Sequence, residues 1–271
     1  SHASFQNIWN LFWKSWCFWC NCQFPDSFKI FPIWKPFKLT IDDLKRVFES
    51  NKYDYCINCA AYTNVEQAEK TPKTAFRINA EGVKNLAKAC KNNNTILIHI
   101  STDYVFDGEK RKPYTVADIP NPINEYGKSK LQGELFITEM YKKHFIIRTS
   151  WLYSKKYGKN FYKTIIGKIG NTKEIRITDA QLGCPTNCVN LAKHIYQNII
   201  FKSPKYGLYH FSDEIQMTWY DFAKAILKEN NALNKVQLIL DNNYVTFAKR
   251  PMYSVLKSTK MISWKNWFLW T

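Results

Sequence analysis

A chain of 271 residues, 45% hydrophobic and 23% charged, has the composition of a soluble globular protein and can bury a sizeable core, as one large domain or two unequal lobes. The net charge of +17 favours anionic partners, but the lysines are scattered through helix-like segments (Lys84, Lys88, Lys91, Lys142, Lys143), so a solvated basic surface is expected and a nucleic-acid face is not. No run of about 18 uncharged apolar residues occurs, and the aromatic stretch 8–20 carries Lys14 and Ser15 without a basic start or a small-residue cleavage site, which predicts a cytoplasmic protein with no membrane span.

Residues 1–38 hold Trp9, Trp13, Trp16, Trp19 and Trp34, half of the ten tryptophans, and no glycine occurs before Gly82. Cys17, Cys20 and Cys22 are spaced closely enough for a metal, but no fourth ligand follows at finger spacing, so no metal site is expected. Cys56, Cys59, Cys90, Cys184 and Cys188 fall in apolar or helical settings and read as buried thiols of an intracellular kind.

From Lys52 onward short apolar runs alternate with amphipathic ones, the pattern of a parallel sheet flanked by helices. Residues 55–60 read as a buried strand, and 72–90 as a helix with Ala75, Ile78, Val83, Leu86 and Ala87 on its apolar side. Residues 95–100 form the next strand, with Ser101-Thr102-Asp103 at its carboxyl end, the edge where open α/β sheets bind ligands. A loop with Pro113, Pro120 and Pro122 leads into a helix from Tyr126 to Tyr141. Residues 145–148 are a further strand that exits into Thr149-Ser150-Trp151. Helices are predicted over 161–169, 191–200 and 219–228, with short strands at 174–177 and 208–211. The fold class is α/β: a Rossmann-like doubly wound parallel sheet over 39–150. Residues 151–271 mainly form a smaller α/β substrate lobe, some elements returning to the first domain.

On this sheet the chemistry gathers around Tyr126 and Lys130. Residues four apart share a helix face, so the Lys130 ammonium can stand beside the Tyr126 phenol. A positive neighbour favours the phenolate and draws the phenol down from about pH 10. Tyr220/Lys224 and Tyr253/Lys257 have the same spacing, but the first lies on an apolar helix face and the second follows Arg250-Pro251. Only Tyr126 and Lys130 are placed by the sheet order opposite a hydroxyl, that of Thr102. Such a trio suits a ketone reduction: Thr102 hydrogen-bonds the carbonyl oxygen, Tyr126 protonates it, and Lys130 holds the phenol and a cofactor ribose. The hydride has to come from a cofactor.

Six segments carry a resemblance. They are Asn58-Cys59-Ala60-Ala61-Tyr62-Thr63-Asn64-Val65-Glu66, Ser101-Thr102-Asp103-Tyr104-Val105-Phe106-Asp107-Gly108, Tyr126-Gly127-Lys128-Ser129-Lys130-Leu131-Gln132-Gly133-Glu134, Arg148-Thr149-Ser150-Trp151, Asp179-Ala180-Gln181-Leu182-Gly183-Cys184-Pro185-Thr186 and Arg250-Pro251-Met252-Tyr253-Ser254-Val255-Leu256. In this order they resemble the extended short-chain dehydrogenase/reductases, and within them the dTDP-4-dehydrorhamnose reductase family, over roughly residues 39–260. The resemblance implies NADPH- or NADH-dependent reduction of dTDP-4-dehydro-β-L-rhamnose to dTDP-β-L-rhamnose. Tyr126 would be the proton donor, Lys130 its partner and Thr102 the tuning hydroxyl. Ala61, Tyr62 and Thr63, with Tyr126 and Lys130, would line the cofactor, while Thr102, Asp103 and Trp151 would contact the dTDP-sugar. For Trp151 the competing expectation is a core or lobe-interface aromatic. Related enzymes suggest a magnesium-dependent homodimer.

The family opens with a strand and a G-x-x-G-x-x-G turn that receives the cofactor diphosphate at a helix start. Here residues 1–38 stand in its place, with Trp13, Trp16 and Trp19 where the glycines would fall. A TGG tryptophan codon read one base later begins GG, as glycine codons do, and a TGA codon read under another genetic code gives a similar exchange. A shifted N-terminus, a divergent segment and an aromatic interaction patch are the readings this leaves. Two other functions stay open: a non-catalytic nucleotide-binding subunit like the regulatory subunit of methionine adenosyltransferase, and a nucleotide-sugar epimerase or dehydratase.

Overall fold

The computed structural model describes residues 30–32 and 41–259; Cys17, Cys20, Cys22 and the tryptophans at 13, 16 and 19 lie outside them. A five-stranded, wholly parallel sheet forms the main body, in the order β1 (Ile30–Pro32), β2 (Tyr55–Asn58), β3 (Ile96–Thr102), β4 (His144–Thr149), β9 (Gly207–His210). Every residue of β2 and β4 is buried, as expected when helices cover both faces of a parallel sheet. Alternate side chains sort to opposite faces. Tyr55, Ile57, Ile98, Ile100, Phe145 and Ile147 point to one core, shared with Leu191, Ile195 and Ile199. Cys56, Leu97 and Ile146 point to the other, packed by Leu44 and Phe48 of α1 (Ile41–Ser50), by Val83 and Leu86, and by Ile137.

Several elements differ from the sequence expectation in ways with a physical cause. Strand β2 stops at Asn58 because the Asn58 Oδ1 takes the Ala60 N–H at 3.1 Å, a local bond that replaces the next sheet bond. After the short α2 (Val65–Lys70), the helix expected over 72–90 is α3 (Pro72–Phe76), a π turn at Arg77–Glu81, and α4 (Gly82–Asn92). The π turn adds a residue to one turn, so the buried face passes from Ala75 to Asn79 and Ala80, and Ile78 is left half-buried. The helix expected from Leu191 starts earlier, as α7 (Cys188–His194) followed by a π turn at Ile195–Ile200, because Asn187 caps it by accepting from the Val189 N–H at 2.9 Å.

Helix α5 runs over Glu125–Met140. Beyond β4 the chain builds the small pairs of the second lobe: β5 (Leu152–Tyr153) with β8 (Thr186–Asn187), β6 (Glu174–Ile177) with β11 (Gln237–Leu240), and β7 (Leu182–Gly183) with β10 (Met217–Thr218). Helices α6 (Phe161–Lys168) and α8 (Trp219–Glu229) close on Ile165, Ile175, Phe222 and Ile226 to give this lobe its own core. Strand β9 leaves the lobe for the main sheet, pairing Ile147 with Tyr209 and Arg148 with His210. No described helix is long and apolar enough to cross a membrane.

Candidate active site

Strand β3 ends on Thr102 and turns at once into a single 3-10 turn, Asp103–Val105, capped by the Thr102 hydroxyl, which accepts from the Tyr104 N–H at 3.1 Å. Helix α5 returns to this edge. Its N-cap, Asn124, accepts from the Gly127 N–H at 2.7 Å and donates to the Lys249 carbonyl at 2.9 Å. A Cβ on Gly127 would stand 2.1 Å from the Tyr104 carbonyl oxygen, so glycine is what lets the first turn of α5 close on the exit of β3. That approach brings the half-buried Tyr126 phenol beside the Thr102 hydroxyl, which acts to lower its pKa. The Tyr104 ring packs edge-on against Tyr126, centroids 5.7 Å apart.

One turn on, Lys130 is only 2% exposed. Its Nζ donates to the Ile100 carbonyl at 2.7 Å and lies 3.3 Å from His99 Nε2. Burial lowers the ammonium to about 8, against the opposing pull of Glu134 and Cys59. The hydrogen bonds of Lys130 thus go to the sheet, and the phenol of Tyr126 is not drawn down as the spacing suggested. Burial pushes Tyr126 well above its ordinary value, opposed by the Thr102 hydrogen bond and reinforced by Asp103 and Tyr104. The residue is held as a protonated acid, the form that donates to an alkoxide.

Asp103 is also buried, and desolvation raises its carboxyl to about 7, with Ser254 and Thr102 holding it lower. The Thr102 hydroxyl donates to Asp103 Oδ1 at 3.1 Å. Ala61, Tyr62 and Thr63 follow β2 at the same edge, where the buried Asn79 accepts from the Tyr62 N–H at 2.7 Å and donates to the Tyr62 carbonyl and the Ser129 hydroxyl, each at 3.0 Å. Asn79, in the π turn, thereby ties the exit of β2 to Ser129 of α5, next to Lys130 in the chain.

Trp151, just past β4, takes φ +46°, a conformation unusual for a bulky side chain. Its ring stacks on Trp219, whose Nε1 donates to Gln181 Oε1 at 3.0 Å. Trp219 also packs against Phe161 and Phe222 of the lobe core, so one residue serves both the apolar helix face and the stack on Trp151. The buried Arg148–Glu134 pair, with Nη2 to Oε2 at 2.6 Å and Nε to Oε1 at 3.0 Å, joins β4 to α5, and Ser101 donates to the same carboxylate. Arg250 returns from the far end of the chain to donate to Glu66 at 2.8 Å. Of the other two tyrosine–lysine pairs, Lys224 and Lys257 are exposed, and Tyr253 lies in a β-bridge with Leu182. Among the described residues no group of three His, Cys, Asp or Glu side chains is placed to hold a metal ion. Cys56, Cys90, Cys184 and Cys188 are buried free thiols, and Cys59 is half-buried.

A parallel sheet covered on both faces, with threonine, tyrosine and lysine at its carboxyl edge and a small lobe beyond, defines a short-chain dehydrogenase/reductase of the extended type. The chain belongs to the RmlD substrate binding domain family, which matches residues 38–267. It is 40% identical over 225 residues to dTDP-4-dehydrorhamnose reductase of Aggregatibacter actinomycetemcomitans, covering 79% of this chain and 76% of the relative. The Escherichia coli (strain K12) dTDP-4-dehydrorhamnose reductase is 38% identical over 216 residues, 76% of this chain and 72% of that protein. The crystal structure of the Bacillus anthracis (strain Ames) dTDP-4-dehydrorhamnose reductase in complex with NADP superposes with a TM-score of 0.78 at 39% identity, covering 82% of this chain and 78% of that one.

Proposed function

We propose that this chain reduces the C4 ketone of dTDP-4-dehydro-β-L-rhamnose to give dTDP-β-L-rhamnose, using NADPH or NADH. The observation that carries this reading is the close packing of the first turn of α5, which bears Tyr126, on the exit of β3 at Thr102–Tyr104, with Lys130 behind them at the sheet edge. The nicotinamide cofactor, when bound, supplies the hydride that no side chain can. The edge fits its nicotinamide ribose: Lys130 brings buried N–H donors to it, one of them on the Ile100 carbonyl, and the Ala61, Tyr62 and Thr63 turn is fixed by Asn79. The residues aligned with the diphosphate turn lie outside the described part. As charge gathers on the carbonyl oxygen, Thr102 hydrogen-bonds it and Tyr126 gives it a proton. Trp151 and Asp103 bound the sugar-nucleotide side, and residues 151–271 furnish most of the substrate lobe.

The free thiols agree with a cytoplasmic enzyme, and the family resemblance with a magnesium-dependent homodimer. The test is oxidation of NAD(P)H by dTDP-4-dehydrorhamnose, with product identified, in this chain and in Tyr126→Phe. Removing the acid should lower the rate about 10²–10⁴-fold, and equal rates would take Tyr126 out of the mechanism. The lack of any glycine before Gly82 favours a second reading, a non-catalytic nucleotide-binding subunit. Nucleotide binding without turnover in the same assay would select it. An epimerase or dehydratase would convert sugar without net oxidation of NAD(P)H.

A further inference from the structure

His99 is completely buried in β3, directly across from Asn58 of β2 and directly behind Lys130. Both of its ring nitrogens face a nitrogen: Nδ1 lies 2.9 Å from Asn58 Nδ2 and Nε2 lies 3.3 Å from Lys130 Nζ. A neutral imidazole has one donor and one acceptor. The orientation of the Asn58 amide decides which is which. Its oxygen takes the Ala60 N–H at 3.1 Å, so its NH2 faces His99, and turning it over would set two donors against each other at Ala60. His99 Nδ1 therefore accepts and Nε2 carries the hydrogen. An Nε2–H aimed at an ammonium is a donor facing a donor. Aimed at a neutral amine it has a lone pair to meet, while that amine still donates to the Ile100 carbonyl 2.7 Å away.

We propose that Asn58 and His99 form a backing pair that fixes the His99 proton on Nε2 and so makes the Lys130 ammonium give up its proton more readily. His99 is then a positioning residue that acts through Lys130, and its effect on catalysis rests on the reductase reading above. The surroundings set the balance. Glu134, on the same helix, pulls toward the ammonium, but its charge is shared with Arg148 of β4 and Ser101 of β3. Cys59 beyond β2 pulls the same way, while His144 of β4 and Lys130 itself oppose any charge on His99, which burial keeps neutral. Tyr126 stands on the same helix as an uncharged acid. A lysine that exchanges its proton near neutrality serves the site as a proton source as well as a fixed cation.

Two measurements on the resting protein test this without turnover. In 15N-histidine-labelled protein, long-range proton–nitrogen correlation reads the His99 tautomer, the ring being assigned by its contacts to Asn58 and Lys130. Nε2–H is expected, and Nδ1–H overturns the proposal; no variant has to fold for this result. In 15N-lysine-labelled protein, His99→Gln, whose amide oxygen can turn to Lys130, should raise the Lys130 titration midpoint by about one unit, tenfold in the acid constant. An unchanged midpoint also overturns it. If the chain turns over, the alkaline limb of kcat/KM moves with that midpoint, which a purely structural role of His99 would not produce. Failure of turnover in the unaltered chain, with both spectra as expected, counts against the reductase reading alone.

Discussion

The rings of Trp151 and Trp219 stack 3.6 Å apart and 4° from parallel, joining the exit of β4 to the first residue of α8. The stack depends on Gly183, where a Cβ would stand 2.5 Å from Trp151 Cε2. In Gly183→Ala the indole has to move, and with φ at +46° its backbone has little freedom to follow. Overpacking of this kind costs about 1–3 kcal/mol, measurable by denaturant unfolding. Because Trp151 bounds the proposed sugar-nucleotide site, KM for the dTDP-sugar should rise severalfold with the pH dependence unchanged. A stable variant with unaltered KM would leave Trp151 as an interface aromatic only.

Asp103 gives the stability a pH signature of definite sign. Its carboxyl titrates at about 7 when folded and at the ordinary 3.8 when unfolded. Between these values the native state holds a proton that the unfolded chain has released. Stability contributed by this group is therefore complete below pH 3.8 and lost as pH rises through 7. His194 and His210, both lowered to about 4 by burial, run the other way, losing their contribution as pH falls from 6.5 toward 4. Asp103→Asn removes only the first effect. The difference in unfolding free energy between the variant and the parent should grow in the variant's favour from pH 4 to pH 7 and level off above it; a flat difference would place the Asp103 titration elsewhere.

The site was legible where local sequence dictates geometry. Tyr126, Gly127 and Lys130 follow one another on a helix whose cap, Asn124, and whose contact at Gly127 are encoded within a few residues. Thr102 could be placed because a continuous apolar run has to be a buried strand, and ligands meet such strands at their carboxyl ends. What stayed hidden depends on register between distant segments. The spacing of Tyr126 and Lys130 showed that they could meet. Only the β2–β3 register, which sets Asn58 opposite His99, shows what else Lys130 meets. The π turn at Arg77–Glu81 leaves no mark in the apolar pattern on either side, so Ile78 was assigned to the core where Asn79 stands. Strands β10 and β11 are short and only partly buried, with no periodicity to announce them.

Glu134 is the pivot of the buried charge network, holding Arg148 with bonds of 2.6 Å and 3.0 Å and accepting from Ser101. Glu134→Gln leaves the Arg148 guanidinium without its counter-charge in a dry site, which costs about 3–5 kcal/mol. The same change removes the strongest influence that favours the Lys130 ammonium. Unfolding should therefore come at lower denaturant, and the Lys130 midpoint should fall. The second shift opposes that expected of His99→Gln, so the two variants bracket the parent in one nitrogen titration.

Asn124→Ala removes the cap of α5, whose Oδ1 bond to the Gly127 N–H is 2.7 Å, and with it the bond to the Lys249 carbonyl. Cap loss costs about 1 kcal/mol. Tyr126 lies in the turn that frays, so kcat should drop more than KM rises, by about fivefold if the Thr102–Tyr126 contact loosens by an equal free energy. A variant that loses the stability but keeps its kcat would show that the acid is positioned by Gly127 and Tyr104 without the cap.

Cofactor affinity is the property that residues 1–38 put at stake. A diphosphate is received by backbone N–H groups where glycine removes side-chain bulk and permits positive φ. Trp13, Trp16 and Trp19 occupy the spacing of the three glycines, and a tryptophan neither adopts positive φ readily nor leaves that space open. NADPH should therefore bind this chain far more weakly than it binds a relative with the glycine turn. Titration of NADPH fluorescence measures this directly. The triple change Trp13→Gly, Trp16→Gly and Trp19→Gly should tighten binding and raise turnover, while Tyr126→Phe in that background should keep the affinity and lose the rate. Micromolar binding with turnover in the unaltered chain would show that the diphosphate is held by other means.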